Sequence, residues 1–113
     1  MTAASLASLL EAKNLTLGCP MDRQITCGGV CDVLSWMLVH GQKGMAWVTV
    51  QTHLNVIAVA VQKGMSAVIL PEGLGMDEPV LEKAGTEGIL VLSTPLTAYE
   101  ACARMAAEGI PGK

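Results

Sequence analysis

Aromatic side chains are almost missing from this chain, which has no Phe, one Tyr and two Trp in 113 residues. Its core must therefore be built from Val, Ile, Leu, Ala and seven Met residues, whose unbranched thioethers fill irregular gaps. Charge is also sparse: 15% of residues are charged, the net charge is −3, and there is no Lys/Arg cluster. That balance excludes electrostatic binding to nucleic acid. No apolar run approaches the roughly 20 residues a membrane span needs. The longest, Val56 to Val61, is closed by Asn55 on one side and by Gln62 and Lys63 on the other. No basic stretch precedes the first apolar residues, so a secretory signal is not expected and the chain reads as cytoplasmic.

Missing motifs exclude particular chemistries. Neither G-x-G-x-x-G nor a phosphate-binding loop with its lysine is present, so nucleotide hydrolysis is not expected. No G-x-S-x-G elbow activates Ser35, Ser93 or Thr94 as a nucleophile. The four cysteines, Cys19, Cys27, Cys31 and Cys102, form no C-x-x-C pair. Cys19, Cys27 and Cys31 have irregular spacing and are one ligand short of a zinc or iron–sulfur site. They are expected to be reduced, packed thiols, with no metal and no cofactor.

What is present is a 51% apolar composition, enough for one domain with a single core. A mean hydropathy of +0.48 is high for a monomer and predicts apolar surface covered by a partner subunit, a homodimer in the simplest case. Trp36 lies on a helix already supplied with an apolar face, and is expected to project into that contact.

Hydrophobic periodicity predicts helices over Thr2–Lys13, Cys31–Val39, Asn55–Lys63, from Asp77–Glu78 to Gly85 or Gly88, and over Leu96–Glu108. Strands are expected at Asn14–Gly18, Met45–Val50, Ser66–Leu70 and Ile89–Ser93, with a brief extended piece at Ile25–Cys27. Met21–Gln24 reads as a polar turn, and Pro111–Lys113 as a loose tail. Gly28 and Gly29 are expected to turn the backbone tightly into the second helix. In the second half each apolar strand precedes an amphipathic helix, the pattern of parallel βαβ units and an α/β fold.

The stretch Met45 to Ala60, MAWVTVQTHLNVIAVA, carries the functional reading. A buried strand runs into a helix, and Thr49, Gln51, Thr52, His53 and Asn55 crowd polar groups at the join. In parallel α/β folds that end of the sheet offers free backbone N–H groups and the positive end of a helix dipole, which suits a small anion. Beside this turn, Gly28, Gly29 and Asp32 are expected to form another wall of one pocket. The bland alternative is that these side chains only satisfy backbone groups and fix the turn, and that Asp32 is an N-cap. A further alternative makes His53 and Asp32 an acid–base pair, which requires both to reach one open cavity.

Four segments, DRQITCGGVCDVLSWM (Asp22 to Met37), WVTVQTHLNVIAVA (Trp47 to Ala60), AVILPEG (Ala67 to Gly73) and LSTPLTAYE (Leu92 to Glu100), together resemble the DRTGG domain family. The chain looks most like small stand-alone members encoded near iron-only hydrogenase and related redox genes in anaerobic bacteria. The resemblance implies a three-layer α/β/α sandwich with a mostly parallel sheet, similar to the N-terminal domain of the HPr kinase/phosphorylase. It also implies a non-catalytic regulatory role, since other members are regulatory segments of larger proteins. Here Asp22 and Arg23 stand several residues before Gly28 and Gly29, and Thr52 and His53 occupy the place where many larger members carry an Asp-Arg pair. The combined expectation is a ligand-sensing domain for a small anionic metabolite or nucleotide. It would be a homodimer with a possible hydrogenase-associated partner. A scaffold without ligand is the alternative.

Overall fold

The computed structural model describes residues 1–112. Lys113, the last residue of the expected tail, lies outside them. Five strands, β1 (Lys13–Asn14), β2 (Cys27–Val30), β3 (Met45–Val48), β4 (Ala67–Leu70) and β5 (Val91–Ser93), form one sheet in the order β1-β5-β4-β3-β2. All neighbours are parallel except β1, which pairs antiparallel with β5 through Lys13–Ser93 and Asn14–Leu92. Helices α1 (Ala3–Leu9) and α5 (Ala98–Ala107) cover one face, and α2 (Leu34–His40), α3 (Leu54–Lys63) and α4 (Glu78–Thr86) the other. This is the three-layer α/β/α arrangement.

Both central strands are buried along their whole length, which explains why they read as unbroken apolar runs rather than alternating ones. Their side chains still alternate between two cores. Ala46 and Val48 join Leu6, Leu10 and Met105 on the α1/α5 side, while Met45 and Trp47 join Val56, Ile57 and Ala60 on the other. Trp47 is the largest fully buried residue in a core without Phe, and its indole Nε1–H donates to the Cys31 carbonyl at 2.8 Å. The indole thus keeps its one polar group satisfied while filling the space between sheet and helices.

Several boundaries moved for identifiable reasons. The first helix stops at Leu9, well before Lys13, because Glu11 turns the chain with φ 54°. The expected strand over Asn14–Gly18 shrinks to a two-residue pairing, since the Asn14 side chain accepts the Thr16 N–H at 2.8 Å and bends the backbone locally. The polar turn at Met21–Gln24 is a brace: Arg23 Nη1 donates to the Gly88 carbonyl at 2.8 Å and Nε to that of Pro20 at 2.9 Å. The last helix starts at Ala98 behind a capping box of Thr97 and Glu100. Hydrogen bonds from Thr97 hold the Glu100 carboxyl below the usual carboxylate range. This contribution is complete above the ordinary pKa and disappears as pH falls through the lowered one. The tail is tied down at Pro111, whose carbonyl accepts the Gly28 N–H at 2.8 Å.

The main correction concerns Gly28 and Gly29. They do not turn the chain into a helix; they lie inside β2, in register with Ala46 and Trp47, and neither has a positive φ. Their missing side chains serve close packing on the two sheet faces. A Cβ on Gly28 would stand 2.8 Å from Met105 Cε, and one on Gly29 would stand 2.8 Å from Met45 Sδ. The second helix consequently begins at Leu34, three residues later than expected.

Candidate ligand site at the carboxyl ends of β2 and β3

The polar residues expected at the β3–α3 join do gather at the carboxyl rim of the sheet. Thr49, almost fully buried, receives its position from the β3–β4 pairing through its N–H to the Ile69 carbonyl at 3.1 Å. Its hydroxyl donates to Asp32 Oδ1 at 2.8 Å, and the Val50 N–H donates to the same oxygen at 2.9 Å. Gln51 closes the loop from the other side: its Nε2 donates to the Asp32 carbonyl at 3.1 Å, and its N–H to Thr49 Oγ1 at 3.2 Å. The loops leaving β2 and β3 are therefore locked together by one carboxylate, with charge-assisted bonds at its centre.

His53 caps α3. Its Nδ1 accepts the Asn55 N–H at 3.1 Å, which leaves the ring proton on Nε2. Asn55 lies exposed in the first turn of that helix, and Thr52 is half-buried between the Gln51 brace and the cap. Asp32, Thr49 and Gln51 thus form one bonded cluster, and His53 and Asn55 form the adjoining helix start.

Two expectations fail. Asp32 does not cap the second helix; its N-cap is Val33, without a side-chain bond, and Asp32 reaches across to the end of β3 instead. The physical reason is that two donors, one on a buried hydroxyl, converge there. Nor do Gly28 and Gly29 share the rim's pocket. They line an apolar cavity of about 190 Å³ with Cys102, Met105 and Ile110, which includes neither Asp32 nor any residue of Thr49–Asn55. Asp32 and His53, the alternative acid–base pair, share no hydrogen bond: Asp32 Oδ1 accepts the Val50 N–H and His53 Nδ1 accepts the Asn55 N–H.

Beside the rim runs a larger groove of about 420 Å³ between α3 and α4, with Leu54, Ile57 and Val61 on one wall and the Lys83–Glu87 ion pair on the other. Asn55 stands at its mouth. Thr94, read in the sequence only as an unactivated hydroxyl, is a fully buried brace that donates to the Leu10 carbonyl while accepting the Leu96 N–H. The Thr-Pro step at Thr94–Pro95 was the available signal for such a turn. All four cysteines are free thiols, and burial raises the Cys102 pKa. Among the described residues, no three of His, Cys, Asp and Glu come together as metal ligands, and no helix is long and apolar enough to cross a membrane.

No family model matches the chain, and no curated protein matches it either. Among solved structures it is similar to the CBS and DRTGG domains of the regulatory region of Clostridium perfringens pyrophosphatase, complexed with its activator diadenosine tetraphosphate. The TM-score is 0.71 at 16% identity. The match covers 96% of this chain and 47% of the other, so the chain spans about half the length of that regulatory region. The shared fold is the mixed α/β one described above.

Proposed function

We propose that this chain is a non-catalytic regulatory domain that binds a small anionic metabolite, a nucleotide in particular, at the rim between Asp32 and Asn55. The observation that carries this reading is the bonding of the two loops through Asp32, which holds a carboxylate beside the start of α3. A helix start favours phosphate, and a carboxylate at a strand end suits a ribose hydroxyl. Both loop bonds use Oδ1 and Asp32 is exposed, so Oδ2 keeps its acceptor capacity for a ligand. The likeness to a regulatory region complexed with a dinucleotide supports the same class of ligand. Ligand binding would act by stabilising one dimeric or partner-bound state over another.

The homodimer belongs to this proposal. Val30, Val33, Trp36 and Val39 leave an apolar surface along the free edge of β2 and the outer side of α2, and Val39 is 72% exposed. Light scattering should return twice the 11.8 kDa protomer mass; a mass near the protomer's own contradicts the dimer. The link to hydrogenase or redox metabolism rests on the sequence resemblance alone.

A scaffold reading has its own specific support. Gln51 Nε2, His53 Nδ1 and Asp32 Oδ1 are all occupied by the loops' own groups, as a purely structural rim would have them. A thermal-shift panel of nucleotides, dinucleotides including diadenosine tetraphosphate, and phosphometabolites separates the two. A ligand at 100 times its Kd stabilises the folded form by ~2.7 kcal/mol. For a domain of this size that is a rise of roughly 10 °C in Tm. Silence across the panel supports the scaffold.

A further inference from the structure

We propose that the pocket between the free edge of β2 and helix α2 is a binding site for a soft monovalent cation, Cu(I), held by Met37, Met45, His40 and Cys31 beneath the indole of Trp36. This pocket does not include the rim residues Asp32 and Thr49–Asn55, but two of its lining residues, Val30 and Trp36, also belong to the apolar surface proposed for the dimer.

These five residues line one cavity of about 260 Å³, together with Gly29. The fold brings them there from three elements. Met45 opens β3, Met37 and His40 lie one helical turn apart on α2, and Cys31 follows β2 directly. Gly29 makes room for the Met45 thioether, with the Met37 methyl close beside it. At the position its Cβ would take, Met45 Sδ stands 2.8 Å away, Met45 Cε 3.1 Å and Met37 Cε 3.6 Å. A Cβ at this position would displace the Met45 thioether, while Met37 would stay at ordinary contact distance.

The donor set decides the cation. Two thioethers, a thiol and an imidazole are soft or borderline ligands, and no carboxylate lines the cavity among the described residues. Calcium, magnesium and manganese want oxygen ligands, whereas thiolate and thioether donors select Cu(I). The Trp36 and His40 rings stand 4.0 Å apart between centroids, which places an aromatic face against the imidazole ligand. A cation held by that imidazole gains attraction from the indole face. Cys31 Sγ accepts the Val33 N–H at 3.4 Å and donates its own proton to the Val33 carbonyl at 3.7 Å, the proton that Cu(I) would displace. Binding is a coordination step without redox change: Cu(I) replaces the Cys31 thiol proton, which leaves to solvent.

Anaerobic titration of the full chain with Cu(I), in competition with bicinchoninate, tests this directly. The wild type should withdraw one equivalent of Cu(I) from the chelator, and the tryptophan fluorescence should fall with the same stoichiometry. Met45→Leu keeps the size of the side chain but removes the sulfur, and His40→Gln changes a half-buried position at a helix end. Each should weaken binding by at least tenfold while the far-UV circular dichroism stays native. Cys102→Ala, which alters a thiol outside the pocket, should bind as the wild type does. The proposal is overturned if no Cu(I) is withdrawn from bicinchoninate, or if both Met45→Leu and His40→Gln bind as tightly as the wild type.

Discussion

Trp47→Ala should lower the unfolding free energy by about 3–5 kcal/mol, a large share of what a domain of this size possesses. The loss has two origins. The indole is fully buried in a core that has no other residue of its volume, so its removal leaves a cavity that Val and Ala neighbours cannot collapse to fill. It also strips the Cys31 carbonyl of its donor, and with it one of the bonds that tie the end of β2 to β3. Trp47→Phe separates these effects, keeping most of the volume while orphaning the carbonyl, and should cost about 1–3 kcal/mol. Urea denaturation measures both: the midpoints should fall in that order with the slope unchanged. Trp47→Ala within 1 kcal/mol of wild type would contradict the packing described here.

Asp32→Ala should act on stability and on ligand response together. One oxygen serves the Thr49 hydroxyl and the Val50 N–H, and Thr49 is too buried for water to replace the carboxylate. A cost of about 1–2 kcal/mol is expected, discounted because Asp32 itself is exposed. Asp32→Asn retains an acceptor in place and should recover part of it, since neutral bonds are roughly half as strong as charge-assisted ones. Melting curves with and without the best nucleotide of the panel give the second readout. The nucleotide should stabilise the wild type and leave Asp32→Ala unmoved; an equal rise in both would remove Asp32 from the site.

The parts of this fold that were legible in the sequence are those governed by local pattern. Strands β3 and β4 read as continuous apolar runs because the sheet is covered on both faces. Helix α3 announces itself by its apolar stripe and by Gly64, which ends it in the left-handed region. The placing of Thr49, Gln51, His53 and Asn55 at a strand–helix join follows from the same local grammar. The failures share a cause as well. Asp32 sits near a helix start and so resembles an N-cap, but its true partners lie 17 and 18 residues away, in the loop that leaves β3. Gly28 and Gly29 resemble a turn because glycine usually signals backbone freedom; here it signals methionines packing close on both faces. Such choices are made by neighbours in space, and no window along the chain contains them.

The central claim is that ligand binds at the rim braced by Asp32, and backbone amide chemical shifts locate it most directly. During titration with the strongest nucleotide from the panel, the amides of Cys31–Leu34 and Thr49–Asn55 should move together and saturate at one stoichiometry. Shifts confined to the α3–α4 groove around Val61, Lys83 and Glu87, with the rim amides still, would contradict the account.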